Sequence, residues 1–279
     1  TLPMVLVNGT EGIGTGFSCY VPPFNPEDIK ANIKRILGGD EIVPMRPWFR
    51  GFKGVVHKEE DTWMMEGVWN WSGTNIVVTE LPPGRWTQDY KEYLDGLVEK
   101  KMIGGYTNNS TTDDVHFEIM EYAGKDLLKD LKLRKTFRVS NMHLFHPTKG
   151  IHKYASPEEI LTDFVELRIE HYKRRKAHLI DMLQKRTEMC SHKSKFVSMV
   201  IEGKLVVFKR KKQDLEKEMS STFPLIDGSL DYLLNIRTVE YTDERVNALM
   251  DEAKQAEEDL EKMLKTSHIT MWKTDIKNM

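Results

Sequence analysis

Ser156-Pro157-Glu158-Glu159 opens the stretch that decides the fold. A serine suited to cap a helix, a proline at the first helical position and two glutamates at the positive end of the helix dipole together mark a helix start. No further proline or glycine occurs before Gly203, so the helix is expected to run for about 45 residues, on the order of 70 Å. Leu161, Val165, Arg168, Tyr172, Arg175, Leu179 and Met182 recur along it at four-three spacing. That seam is partly occupied by long basic side chains, whose stems can pack while their heads stay wet.

Downstream, Leu205-Val206-Val207-Phe208 reads as a short strand, residues 211–219 as a short helix and Phe223 to Gly228 as a loop. A second long helix is expected from near Thr242-Asp243-Glu244 to about residue 276. Val246, Leu249, Ala253, Ala256, Leu260 and Met263 give it an unbroken coiled-coil seam. Two long helices with a small subdomain between them predict an antiparallel hairpin bearing a knob.

Upstream, the character is α+β. Pro3-Met4-Val5-Leu6-Val7 reads as a buried strand, and Asn25-Pro26 starts a helix that Gly38-Gly39 ends. Val55-Val56, Trp63–Met65, Val68-Trp69 and Asn75–Val78 are strand candidates. A helix over 87–100 with Thr87 as cap, a strand at Val115–Met120 and a helix near 124–132 follow. A strand through Val139–Phe145 is expected to pair with Gly150–Tyr154. The fold class is therefore an α+β domain followed by a long antiparallel helical hairpin with a small subdomain. The expected boundaries are 1–155 for the α+β domain, 156–203 for the first helix, 204–241 for the subdomain and 242–279 for the returning helix.

Composition narrows the function classes. Charged residues make up 30% of the 279, and the formal net charge is −2. That average hides segregation: Lys173–Lys176 and Lys209–Lys212 are basic runs, while Glu257-Glu258-Asp259 is acidic. Cys19 and Cys190 stand alone, without metal-ligand spacing or a disulfide framework. No apolar run has membrane-spanning length, so no membrane partner is expected. His143, His146 and His152 lie close in sequence but on strand and turn, without cysteine or carboxylate at ligand spacing, which favours a hairpin role over metal.

The stretch Asn8-Gly9-Thr10-Glu11-Gly12-Ile13-Gly14-Thr15-Gly16 carries most of the functional information. Its alternating glycines resemble a phosphate loop, yet Tyr20 to Pro26 keeps the chain extended where a dinucleotide fingerprint would open a helix. Two readings remain: a tight turn packed on Ile13, or a glycine loop that approaches a ligand closely and inserts Ile13 between stacked bases. Arg46, Arg50 and Lys53 interleave with Trp48, Phe49 and Phe52. That pattern suits phosphate contact with aromatic support as well as a solvated hairpin. Tyr232, Leu233, Leu234 and Ile236 either pack beneath the knob or form an exposed apolar cluster that needs a partner.

At these residues the chain resembles the type IIA topoisomerases, in the segment after their catalytic winged helix. The matching stretches run in order from Pro3–Gly16 through Pro44–Gly54, which points to the eukaryotic branch, Glu80–Tyr90 and Ser140–Phe145 to Phe164–Lys176, Asp231–Leu234 and Met271–Ile276. The resemblance implies an ATP-dependent enzyme that cuts and reseals double-stranded DNA, works as a homodimer in the nucleus, and requires Mg2+ and ATP held elsewhere in the chain. It implies that residues 1–155 form a DNA-binding tower and 204–241 the C-gate dimerisation subdomain. Ile13 would be the intercalating wedge, and Asn8, Gly12, Gly14, Thr15, Arg46, Trp48, Arg50, Lys53 and Trp86 would contact DNA. Tyr232, Leu233, Leu234 and Ile236 would make the dimer contact. Gly84 stands where several relatives carry a basic residue, leaving Arg85 to take that contact, and the stretch from Gln213 to Ser229 is short for the family.

No Gly-Lys-Ser/Thr loop, Asp-x-Asp pair or winged-helix Arg-Tyr occurs here. No cofactor or metal is therefore expected on this segment, and the nucleophilic tyrosine, metal-binding and ATPase parts are expected upstream of Thr1. The competing reading is a non-enzymatic architectural protein that bends DNA with Ile13 and dimerises through the helical hairpin.

Overall fold

The computed structural model describes residues 1–226, 228–237 and 241–279, without the side chains of Phe17, Asp243 and Glu244. The chain divides into two compact units, Thr1–Glu166 and Leu167–Met279.

In the first unit, helix α1 (Met4–Asn8) replaces the strand expected there. The backbone N–H groups of Leu6 and Val7 both donate to the Pro3 carbonyl, and Gly9, at φ 69°, ends the turn. A short apolar run does not distinguish strand from buried helix by periodicity, and within the helix only Leu6 is buried. Hairpin β1 (Thr10–Gly14) and β2 (Phe17–Val21) follows. Helix α2 (Pro26–Ile36) is capped by Asn25, whose side chain accepts from the Glu27 N–H at 3.0 Å. Buried Asn32 then clasps Val43 through both its groups, donating to the carbonyl at 2.8 Å and accepting from the N–H at 3.0 Å.

Two antiparallel sheets make the body of this unit. One is β3 (Val55–Glu59), β4 (Thr62–Glu66) and β9 (Arg134–Phe137), in that spatial order. The other has the order β5 (Trp69–Ser72), β6 (Asn75–Val78), β8 (Phe117–Met120), β7 (Gly105–Asn108). Helix α3 (Thr87–Glu99) buries Tyr90, Leu94 and Leu97 in one core with Ile76, Val78, Phe117 and Ile119. Its N-cap is Trp86 and not Thr87, and no side chain caps it. Helix α4 is a single turn, Leu127–Asp130. The hairpin β10 (Met142–His146) and β11 (Gly150–Tyr154) pairs as the sequence predicts.

Helix α5 (Pro157–Ile201) starts in the first unit with a side-chain cap: the Glu159 N–H donates to Ser156 Oγ, and the Glu159 carboxylate reaches back one residue beyond the cap to accept from the Ala155 N–H. In the second unit it runs antiparallel to α8 (Asp243–Lys265) and α9 (His268–Lys277). The opposed contacts show the direction: Tyr172 bonds Asp275, Lys176 bonds the Leu264 carbonyl, and Thr187 bonds the Ala256 carbonyl. The expected single return helix is thus two, broken at Thr266-Ser267, where Ser267 Oγ caps α9 by accepting from the Thr270 N–H. Between them lie α6 (Lys212–Met219) and α7 (Asp231–Leu234) around a core of Phe196, Val197, Leu205, Leu215, Phe223 and Leu233. Leu205–Phe208 forms no strand: Leu205 enters that core while Val206 and Phe208 stay exposed.

Candidate nucleic-acid interface

The glycine stretch is a β-hairpin, not a phosphate cradle. Gly9 sets its base: a Cβ there would lie 2.8 Å from the Val21 carbonyl oxygen and 2.9 Å from Pro23 N, at φ +69°. Every residue of β1 is exposed, and Gly16 closes the turn at φ +79°. Ile13, in register with Ser18, is 86% exposed. A packed turn would bury that side chain, so the geometry excludes the packed-turn reading and leaves Ile13 displayed at the surface.

The hairpin is held from below. The Tyr20 N–H donates to the Asn141 carbonyl at 3.0 Å, and Asn141 Nδ2 donates to Ser18 Oγ. The Tyr20 ring meets Phe137 edge-on at 5.7 Å, and Phe137 meets Phe49 at 6.2 Å. Burial, then Glu11, pushes the Tyr20 hydroxyl above its ordinary pKa. These aromatics tie the hairpin base to the segment that carries the candidate cations.

That segment does not act as one patch. Asn8, Trp48 and Arg50 line an open groove of ≈ 690 Å³ floored by prolines and aromatics, with Glu80 on its wall. Arg46 belongs to a different cavity of ≈ 610 Å³, with Lys58, Trp63 and Glu158. Lys53 stands 3.6 Å from Asp114, both well exposed, a pair that water screens. Trp86 is 72% exposed. Arg85, to which the resemblance gives that contact, is half buried, its Nε lacks a hydrogen-bond partner, and its charge acts on the buried Tyr90 hydroxyl. Lys135 also reaches the turn, from β9, and donates to the Pro83 carbonyl at 3.0 Å, with Nζ 2.7 Å from where a Gly84 Cβ would be. Neither Lys135 nor Asn141 is legible from sequence, because each reaches the site from far along the chain.

All nine tyrosines are held above their ordinary pKa, with burial the first cause in each, opposite to what a phenolate nucleophile needs. Among the described residues no group of three or more His, Cys, Asp or Glu is placed to hold a metal ion. His146 and His152 instead pair with Asp163 and Glu159 at 3.4 and 3.6 Å.

In the second unit the apolar run near residue 233 divides. Leu233 is fully buried in the unit's own core, so it is not displayed to a partner. Tyr232, Leu234 and Ile236 are half buried against the same core, and the Tyr232 hydroxyl donates to the Pro224 carbonyl. The bare apolar side chains here are Val206, Phe208 and Leu225, at 57%, 67% and 59% exposure.

Comparison with known proteins agrees with this architecture. The family model for the A-type chain of DNA gyrase/topoisomerase IV matches residues 1–277. A DNA topoisomerase 2 from Penicillium chrysogenum is 34% identical over 321 aligned positions, covering 99% of this chain and 20% of that protein. One from Saccharomyces cerevisiae is 31% identical over 340 positions, covering 99% of this chain and 24% of that protein. The alignments are longer than the 279 residues here, so both relatives carry residues without a counterpart in this chain. The solved topoisomerase II DNA-binding, cleavage and re-ligation domain of Plasmodium falciparum superposes with a TM-score of 0.91 at 33% identity, over 99% of this chain and 43% of that one. The chain spans about a fifth to a quarter of the length of these curated relatives. It belongs to the DNA gyrase/topoisomerase IV family, among the A-type chains, and within it resembles the eukaryotic topoisomerase II members.

Proposed function

We propose that this chain is part of the DNA breakage-reunion core of an ATP-dependent type II topoisomerase, where it bends the duplex to be cut and closes the C-gate between two protomers. The observation that carries this reading is Ile13, bare at the end of a hairpin whose base is anchored through Gly9, Tyr20 and Asn141. An apolar wedge that enters a base step unstacks it at a cost of a few kcal/mol, offset by the surface the bent duplex then wraps. Asn8, Gly12, Gly14, Thr15, Trp48, Arg50 and Trp86 would follow the backbone on either side, with Lys53 exchanging Asp114 for phosphate. Arg46, in its separate cavity, would meet a different part of the duplex.

In this reading residues 1–155 are the tower, 156–203 and 242–279 the paired helices, and 204–241 the dimerisation subdomain. Val206, Phe208 and Leu225, with the exposed edges of Tyr232, Leu234 and Ile236, form the apolar surface that a second copy would cover. The nucleophilic tyrosine, the Mg2+ site and the ATPase belong to other parts of such an enzyme. Nuclear work on chromosomes is the corresponding location, although one relative, from Dictyostelium discoideum, is a mitochondrial topoisomerase 2. The architectural-protein alternative gains nothing from the family match.

The test is bending. In an enzyme containing this chain, with donor and acceptor dyes on the two ends of a duplex, Ile13→Ala should lower the energy transfer that reports the bend. Equal transfer in both proteins would refute the wedge.

A further inference from the structure

Phe145 is 85% exposed, nearly as bare as Ile13, and the glycine hairpin does not account for it. Register places the two on one face. Ile13 is opposite Ser18, and Ser18 Oγ accepts from the Asn141 side chain, so Asn141 shares the Ile13 face. Alternation along the strand carries that face to His143 and Phe145. Their cross-strand partners, Lys153 and Ile151, continue it. The intervening Met142 is buried, as the opposite phase requires.

The hairpin β10–β11 is built to hold this face still. His146 Nδ1 accepts from the Thr148 and Lys149 N–H groups at 3.1 and 3.2 Å and so fixes the turn. His146 Nε2 and His152 Nε2 reach Asp163 and Glu159 on the first turns of α5, and the Tyr154 ring stacks edge-on against His152 at 4.7 Å. Asp163 and Glu159 are thus engaged from its inner side, while exposed Glu11 of β1, opposite Tyr20, is the carboxylate that shares the Ile13 face. Residues 142–154 themselves contain three histidines, two lysines and no acidic residue. The outer side therefore shows Phe145 and Ile151 flanked by Lys149, Lys153 and His143.

We propose that the Phe145–Ile151 face of β10–β11 is a second apolar contact with the same duplex that Ile13 enters, with Lys149 and Lys153 on its phosphates. The inference rests on the DNA-bending reading and extends it about 13 Å along β10 from the Ser18–Asn141 bond, at roughly 3.3 Å per residue. An apolar ring flanked by lysines, on a hairpin that itself carries no acidic residue, matches a nucleic-acid surface: the ring meets bases or sugars, and the cations meet the backbone. A protein partner is the competing occupant, and the test separates it.

The 279-residue chain would be titrated against a fluorescein-labelled 30-base-pair duplex by anisotropy over a range of salt concentrations. Phe145→Ala should weaken binding about tenfold, as loss of an aromatic stacking or wedge contact does, and leave the salt slope unchanged. Lys149→Ala with Lys153→Ala should reduce the slope by about two. Unchanged affinity with Phe145→Ala while Ile13→Ala weakens binding would overturn this proposal and leave the DNA-bending reading standing. No effect from either would count against both. Phe145→Ala that leaves DNA binding intact but lowers the sedimenting mass would assign the face to a second copy, and so also overturn the proposal. Ile151→Ala serves as an independent probe of the same face, with far-UV circular dichroism confirming that each variant is folded.

Discussion

Where α5 meets α9, two polar groups converge on one carboxylate, Asp275, and removing it gives a quantitative test. The Tyr172 ring is stacked on buried Trp272, with centroids 5.4 Å apart and planes 14° apart. Its hydroxyl donates to Asp275 Oδ2 at 2.6 Å, and Arg175 Nη1 donates to the same oxygen at 2.6 Å. Asp275→Ala would leave the hydroxyl of buried Tyr172 without this partner, at about 1–3 kcal/mol. Arg175, whose side chain is 52% exposed, regains water, so its share stays below about 1 kcal/mol. Together these give a loss of about 2 kcal/mol. Urea titration followed at 222 nm would measure it, because the long helices dominate that signal. In a Tyr172→Phe background the same substitution should cost less than about 1 kcal/mol, since the orphaned hydroxyl is gone. An equal cost in both backgrounds would refute the reasoning. The pH dependence follows. The hydrogen bond from Tyr172, then Arg175, holds the Asp275 carboxyl below its usual range, so its contribution is present above the unfolded value near 3.9 and is lost as pH falls through the folded one. Burial, then Asp275, raises the Tyr172 hydroxyl, so its contribution is present below about 10 and lost as pH rises through the folded value. The clasp should therefore be at full strength between about pH 5 and pH 9.

Gly9→Ala should lower the thermal midpoint by at least about 2–4 °C, which corresponds to roughly 1 kcal/mol in a chain of this size. The added Cβ meets backbone on two sides at positive φ, and a calorimetric midpoint equal to that of the parent would contradict the geometry of the hairpin base. Leu233→Ala should destabilise the chain by about 2–5 kcal/mol in denaturant, as the loss of a fully buried leucine does. A variant that keeps its stability but no longer self-associates would return Leu233 to the surface.

The sequence was most readable where local chemistry and tertiary structure agree. The start of α5 is an example: Ser156, Pro157 and Glu159 specify a cap that the fold then uses. The antiparallel return was legible from Val246–Met263, whose seam residues all face inward. The break before α9 was not, because Lys265-Thr266-Ser267 contains neither proline nor glycine, and the seam continues on both sides. Strand β1 was hidden for the opposite reason: Glu11, Gly12 and Gly14 outweigh the strand-forming Thr10 and Ile13, and its conformation comes from pairing with β2. In the second unit, composition could mark Tyr232–Ile236 as apolar but could not decide between core and surface. A single helical turn at α7 decides it by turning Leu233 inward and leaving its neighbours at the edge.

The wedge itself shows why residue type alone could not define the site. A two-stranded hairpin with all of β1 exposed buries too little to be stable alone. Its order must come from its base, where Gly9 admits the backbone of Val21 and Pro23, and Asn141 binds both Tyr20 and Ser18. Ile13 thus remains bare without becoming loose: the chain fixes its position during folding, so less ordering entropy would remain to be lost in the proposed contact with DNA. The same logic governs β10–β11, where pairs to Asp163 and Glu159 hold the inner side and leave Phe145 free on the outer one. In both hairpins the proposed contact residues are the ones that do not pack, and they are positioned by others, Asn141 from far along the chain and Gly9 and Tyr20 from close by.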